Sequence, residues 1–157
     1  MKLINLENMI EKIKIKILSW KAKKEYEKEL LRLYDNENKR VREYKKSFLN
    51  SNFIVIALLE NKIVWAVRII SDMFMCALII DLLVDPWFRW KWIWNKIMKE
   101  TVKLCINKKI KNIELIADPS FNWLPNFYEK VGFQNSPENW VYMSLNKSLI
   151  QKLWKKQ

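Results

Sequence analysis

The 157-residue chain has one glycine and no histidine. With no imidazole, and with Cys76 and Cys105 lacking neighbours at metal-ligand spacing, neither zinc nor any other metal is expected. Both cysteines sit in apolar stretches and read as buried free thiols, the pattern of a reducing cytoplasm. No run of about 18 apolar residues occurs, so no membrane span is expected. Met1-Lys2-Leu3-Ile4-Asn5 lacks the apolar core of a signal peptide. Repeats, linkers and low-complexity tracts are missing too. The length fits one domain, able to bury about two-thirds of its unfolded surface without disulfides or metals. Residues 1–12 read as an appendage, 13–150 as the domain and 151–157 as a basic tail.

Where glycine is scarce, tryptophan is abundant. Average usage would give about eleven glycines at this length, whereas the chain has 9 Trp and 1 Gly. The two together come close to the expected glycine count, and several tryptophans stand at turn-like positions. Lysine, isoleucine and asparagine are heavily used, as in an AT-rich gene. These features point to codon reassignment, with UGA meaning glycine but read as tryptophan. Trp90, Trp92, Trp94 and Trp65 are the clearest cases; Trp140 and Trp154 suit ordinary tryptophan. A genuinely Trp-rich protein is the alternative.

Charge is strongly one-sided, with 29 Lys and Arg against 17 Asp and Glu, a net +12. Such a domain attracts nucleic acid without sequence preference, or a polyanionic cofactor; lysine-rich coding alone also produces it. The aromatics do not follow a basic face, so no specific nucleic-acid partner is expected.

Lys12–Leu18 alternates basic and apolar residues, which predicts an edge strand. Tyr26, Leu30, Leu31 and Tyr34 predict a helix over 22–35; Val41, Tyr44 and Phe48 predict another over 39–49. Phe53–Leu59 and Ile63–Ser71 read as a hairpin around Glu60-Asn61-Lys62. Phe74–Val84 is too continuously apolar for a surface strand and is expected to be central. A helix over 91–108, a buried strand Ile113–Ala117 and a short helix Leu124–Lys130 follow, the last stopped by Gly132. Short strands at 133–135 and Trp140–Leu145 complete a mixed α/β sheet.

Two segments carry the functional signal. The first is Val84-Asp85-Pro86-Trp87-Phe88-Arg89-Trp90-Lys91-Trp92-Ile93-Trp94, at a strand-to-helix junction. With glycine for Trp90, Trp92 and Trp94 it resembles the acetyl-CoA loop of the GCN5-related N-acetyltransferases, whose pattern is Arg/Gln-x-x-Gly-x-Gly/Ala. The second is Asn126-Phe127-Tyr128-Glu129-Lys130-Val131-Gly132-Phe133, which resembles the same family's Phe-Tyr-x-Lys-x-Gly-Phe signature. The resemblance covers roughly residues 13–146. Leu33-Tyr34 also looks like the small single-domain members, although their usual Gly-Trp continuation is absent.

The resemblance implies the acyl-CoA N-acyltransferase fold: a central, mostly antiparallel sheet with a splayed strand pair and flanking helices. It implies transfer of an acetyl group from acetyl-CoA to a primary amine, by direct attack in a ternary complex. Arg89, Trp90, Lys91, Trp92, Ile93, Trp94 and Asn95 then form the diphosphate cradle, where a helix N-terminus supplies N–H donors and dipole. Glycine suits such a loop because the backbone must approach phosphate closely, often at positive φ. An indole at 92 or 94 would stand in the phosphate's place. The backbone of Leu82, Leu83 and Val84 would pair with the pantetheine arm and hold the acetyl carbonyl, and Asn122 would touch the pantetheine. Tyr128 matches the residue that protonates the departing thiolate. Asp81 is the first candidate to receive the amine proton, or else to anchor substrate; Glu114 is the second. The acceptor is a small-molecule or peptide amine, and a monomer or homodimer is expected. Should the loop tryptophans be genuine, the chain would instead be an inactive binding module.

Overall fold

The computed structural model describes residues 11–36, 41–88, 91–117 and 124–134. They fall in two compact units, divided between Phe121 and Asn122. The first unit contains β1 (Ile13–Leu18), α1 (Trp20–Glu25), α2 (Glu27–Asn36), α3 (Val41–Asn50), β2 (Phe53–Leu59), β3 (Lys62–Ser71), β4 (Cys76–Val84), α4 (Lys91–Asn107) and β5 (Asn112–Leu115). A 3₁₀ turn at Pro86–Phe88 joins β4 towards α4. The second unit contributes α5 (Leu124–Glu129).

The strands form one sheet in the order β1-β2-β3-β4-β5. Neighbours are antiparallel except β4 and β5, which run parallel. This is the mixed α/β sheet read from the sequence. The helix expected over 22–35 is instead two helices, broken at Tyr26 (φ −95°, ψ 4°). The Tyr26 ring packs beside the core while its hydroxyl accepts from Lys16 Nζ at 2.9 Å, a pairing that helical periodicity does not encode. Phe133 and Gln134 are not in a strand; residue 135 and Trp140–Leu145 lie outside the described residues.

Both faces of the sheet are covered. On one, Ile54, Ile56 and Leu58 of β2, Ile63 and Ala66 of β3 and Leu83 of β4 pack with Leu30, Leu33 and Tyr34 of α2 and Phe48 of α3. Fully burying a Leu or Phe side chain is worth about 1.5–3 kcal/mol, so these few residues suffice to hold two otherwise charged helices. On the other face Trp65 meets Trp94 of α4, and Lys108 lies over the Phe53 ring. Double coverage explains why β2 is buried from Ile54 to Leu58 without alternation.

One irregularity shapes the pairing of β3 with β4. Ala66 faces Leu83 while Arg68 faces Ile80, so Val67 alone opposes both Asp81 and Leu82. This is a β-bulge, and Asp81 takes the left-handed conformation within it, at φ +49°. Pairing between β4 and β5 runs from Cys76↔Asn112 to Ile79↔Leu115 and stops there. Ile80–Val84 thus lie beyond the part of β4 that pairs with β5.

In the second unit α5 ends in a Schellman motif. Phe133 N–H donates to Tyr128 C=O at 3.1 Å and Gly132 N–H to Glu129 C=O at 3.0 Å. Gly132 has φ +106°, which glycine adopts without strain. The Phe133 ring then meets Tyr128, centroids 6.1 Å apart. The Tyr-Glu-Lys-Val-Gly-Phe string is therefore, locally, a helix stop that fixes Tyr128.

Candidate active site

Asp85 starts the loop after β4, and it is buried. Its backbone N–H still donates to Val64 C=O at 2.9 Å, which ties the loop's first residue to β3. Oδ1 accepts from Trp87 N–H at 3.2 Å, and the Asp85 carbonyl accepts from Phe88 N–H at 2.8 Å. Oδ2 takes Arg32 Nη1 and Lys62 Nζ, each at 2.9 Å. Lys62 Nζ also lies 5.9 Å from the Phe88 ring centroid. Burial alone would raise the Asp85 carboxyl, but hydrogen bonds from Lys62 and Arg32 offset this and hold it below the ordinary carboxylate range. Arg32 Nη2 reaches Ile63 C=O at 2.7 Å, so helix α2 and the β2–β3 turn together fix where the loop begins. A cavity of about 360 Å³ lined by Glu29, Arg32, Leu59, Glu60, Asn61 and Lys62 lies on this anchor, not on the bulge.

Helix α4 spans Lys91–Asn107, so its first turn presents the positive end of the helix dipole at the expected cradle. Arg89, Trp90 and Asn122 lie outside the described residues, and of Lys91, Trp92 and Ile93 only the helical backbone is described. Trp94 corrects one expectation. Its indole does not project from the helix end but packs edge-to-face on Trp65, centroids 4.6 Å apart at 88°. Position 94 is close enough to the helix start for its side chain to turn towards the sheet.

Trp65 is fully buried, opposite Val84 and beside a second register slip, between Ala57 and Leu58. Among the described residues two buried side-chain atoms have no hydrogen-bond partner, Trp65 Nε1 and Asn95 Oδ1. An orphaned buried donor costs about 1–3 kcal/mol, so tryptophan is an expensive occupant of position 65. The described tryptophans do not sit at positive φ; Glu60, Met73, Asp81 and Lys109 do. Glycine's advantage at 65 and 94 would therefore be close approach of α4 to β3, not backbone freedom.

Asp81, at the bulge, is engaged. Its Oδ2 accepts from Tyr34 Oη at 3.0 Å and Arg68 Nε at 2.7 Å, with Arg68 Nη2 at 2.6 Å. Burial and then the Asp81 charge push the Tyr34 phenol far above its usual value, so it stays a donor. Leu83 and Val84 are buried and Leu82 half-buried, as expected of residues that would act through their backbone. Glu114 is exposed on β5, opposite Leu78. In the second unit, burial raises the Tyr128 phenol. Sequence reasoning missed Arg68, Arg32 and the structural part played by Tyr34 and Asp85. A lone charge within an apolar strand, as at Arg68, was the available signal. No group of three or more Cys, Asp or Glu placed to hold a metal occurs among the described residues, nor any helix long and apolar enough to cross a membrane.

The chain is 32% identical over 79 residues to the chloroplastic GCN5-related N-acetyltransferase 2 of Arabidopsis thaliana, a match covering 50% of this chain and 30% of that protein. Its fold matches an aminoglycoside acetyltransferase from an uncultured soil metagenomic sample, solved with sisomicin, at TM-score 0.66 and 22% identity, over 90% of this chain and 99% of that one. It also matches a GNAT-family acetyltransferase of Streptococcus pneumoniae (TM-score 0.65, 20% identity, 84% and 99% covered). An aminoglycoside N-acetyltransferase solved with CoA matches at TM-score 0.65 and 11% identity, over 84% and 94%. No family model matches the sequence. The chain thus has the fold of the GCN5-related N-acetyltransferases and a sequence relative among them, as its two motifs implied.

Proposed function

We propose that the chain is an acetyl-CoA-dependent N-acetyltransferase acting on a primary amine in a ternary complex. The observation that carries this reading is the bulge at Asp81–Leu82, just past the last pair between β4 and β5. It suits the backbone of Leu82, Leu83 and Val84 to receive an extended acyl-thioester arm and polarise its carbonyl. Past the Asp85 anchor comes the N-terminal end of α4, whose dipole suits a diphosphate. Arg89, Trp90, Asn95 and Asn122 complete that site by resemblance. Residues 13–150 would form the catalytic domain, flanked by 1–12 and 151–157. A cytoplasmic setting fits Cys76 and Cys105, which are not disulfide-bonded.

Acetyl-CoA supplies an activated thioester. The amine nitrogen attacks the carbonyl carbon, the C–S bond breaks, and the amine's proton leaves to water or a nearby carboxylate. Tyr128 gives its proton to the departing sulfur. Catalysis comes mostly from positioning, so neither cysteine is needed as a nucleophile. The Tyr128→Phe variant should lose roughly a hundredfold in kcat with little change in KM for acetyl-CoA. Because the phenol is raised above its ordinary 10.0, it stays loaded through neutral pH, and wild-type activity should fall only above that value.

The test is thiol release from acetyl-CoA with sisomicin, spermidine and a peptide amine, beside calorimetry with acetyl-CoA alone. Sisomicin heads the panel because a solved neighbour in fold holds it. No binding and no turnover would defeat the proposal. The alternative, a cofactor-blind binding module, draws on the well-formed Trp65–Trp94 contact. Peptide sequencing across Phe88–Lys96, on protein from its own cells, separates the two. Glycine at 90, 92 and 94 supports the enzyme and the codon reassignment; tryptophan there supports the module.

A further inference from the structure

We propose that Arg68, Tyr34 and Asp81 form a buried clamp that holds the β4 bulge in shape, making Asp81 a positioning residue. Its functional half rests on the acetyltransferase reading; its structural half stands on geometry alone.

β4 carries a single charged residue, Asp81, in the run Cys-Ala-Leu-Ile-Ile-Asp-Leu-Leu-Val. Across the sheet, within the buried run of β3, stands Arg68. Either charge alone would be costly to bury, and together they compensate only with good geometry and further hydrogen bonds. Those are present. Arg68 Nε and Nη2 both reach Asp81 Oδ2, at 2.7 and 2.6 Å. Its remaining nitrogen, Nη1, donates to Ser47 C=O at 2.8 Å and Ser51 Oγ at 3.0 Å. Lys23 Nζ donates to Ser51 C=O, extending the network to α1. The guanidinium thus bridges the end of α3 to the bulge, while Tyr34, fully buried on α2, adds the third donor at 3.0 Å.

Asp81 has φ +49°. A non-glycine residue persists there only when its surroundings over-determine it. Three donors on one oxygen, from α2 and β3, are such surroundings. If the clamp loosens, residue 81 can return to extended backbone, the bulge slides, and Leu82 to Val84 shift register. A one-residue slip turns each of their backbone groups to the other edge of the strand.

The test uses the full chain labelled with ¹³C, as its own cells translate it. The Cα and Cβ shifts of residue 81 report positive φ directly, and calorimetry reports acetyl-CoA binding. Arg68→Met should abolish the left-handed signature and weaken acetyl-CoA roughly tenfold, the worth of an unsupported left-handed residue. Tyr34→Phe, which keeps the ring, should weaken it roughly twofold to threefold. Adding Asp81→Gly to Arg68→Met should recover most of the loss, because glycine holds φ > 0 unaided. If Arg68→Met does not fold, Asp81→Gly against Asp81→Ala decides: both lack the carboxylate, and glycine should bind roughly fivefold more tightly. Equal affinities for that pair, or an unchanged signature in Arg68→Met, overturn the clamp. Should the shifts behave as stated while wild type binds no acetyl-CoA, the clamp stands and the acetyltransferase reading falls.

Discussion

A chain carrying Trp65→Gly, Trp90→Gly, Trp92→Gly and Trp94→Gly together should bind acetyl-CoA at least about a hundredfold more tightly than the tryptophan chain, a difference near 2.7 kcal/mol. One or two charge-assisted hydrogen bonds from main-chain N–H groups to phosphate account for that much. The four positions belong together. Trp65 and Trp94 are in contact across the α4–sheet interface, so glycine at one alone would leave the other indole facing a void. Glycine at both lets the helix start settle onto β3, and it removes the orphaned Trp65 Nε1. Stability gives the opposing signature. Were the tryptophans native, deleting a fully buried indole would cost about 3–5 kcal/mol, and the quadruple variant would melt far below the parent. A variant that melts at or above the parent and binds acetyl-CoA supports codon reassignment. One that unfolds and binds nothing defeats it.

The second large effect is expected at Asp85. Asp85→Asn removes the buried charge that gathers Arg32 and Lys62 and holds the loop's first turn. Breaking a buried pair costs about 3–5 kcal/mol. Both cations are partly exposed and can rehydrate, so about 2–3 kcal/mol is a better expectation. For a domain of this size that lowers Tm by roughly 5–10 °C. The pH dependence has a definite sign. The folded carboxyl is held below its ordinary 3.8, so its stabilisation is complete above that value and is lost as pH falls through the folded one. Thermal melts between neutral pH and about 3 should therefore show a steeper acid decline in wild type than in Asp85→Asn. Parallel declines, or a Tm within about 2 °C of wild type, would show that Asp85 anchors nothing. A weaker acetyl-CoA site should accompany the drop, because the loop's starting point is then unfixed.

Much of the fold was legible because apolar periodicity is local. Phe53–Leu59 has the same bounds by pattern and by structure, and the long helix after Pro86 differs by a residue at its end. The break at Tyr26 was not legible, since it depends on Lys16, a residue of another element. The candidate site divides the same way. The loop and the Tyr128 segment are contiguous strings, so resemblance found them. Arg68 and Arg32 work through partners 13 and 53 residues away in sequence, and no spacing rule pairs residues so far apart.

By itself, then, the sequence determined most of the element order, the buried run of β2, the two motifs and the anomaly of nine tryptophans beside one glycine. The elements and the anomaly follow from composition or from a period of two or 3.6 residues, and the motifs from resemblance. Only the tertiary structure decided that Asp81 meets Arg68 and Tyr34, that Asp85 is buried between two cations, and that Trp94 turns inward to Trp65. Those outcomes depend on which strands become neighbours and where their register slips. Long-range pairing sets both, because a buried charge must find its compensating partner wherever the fold brings one close.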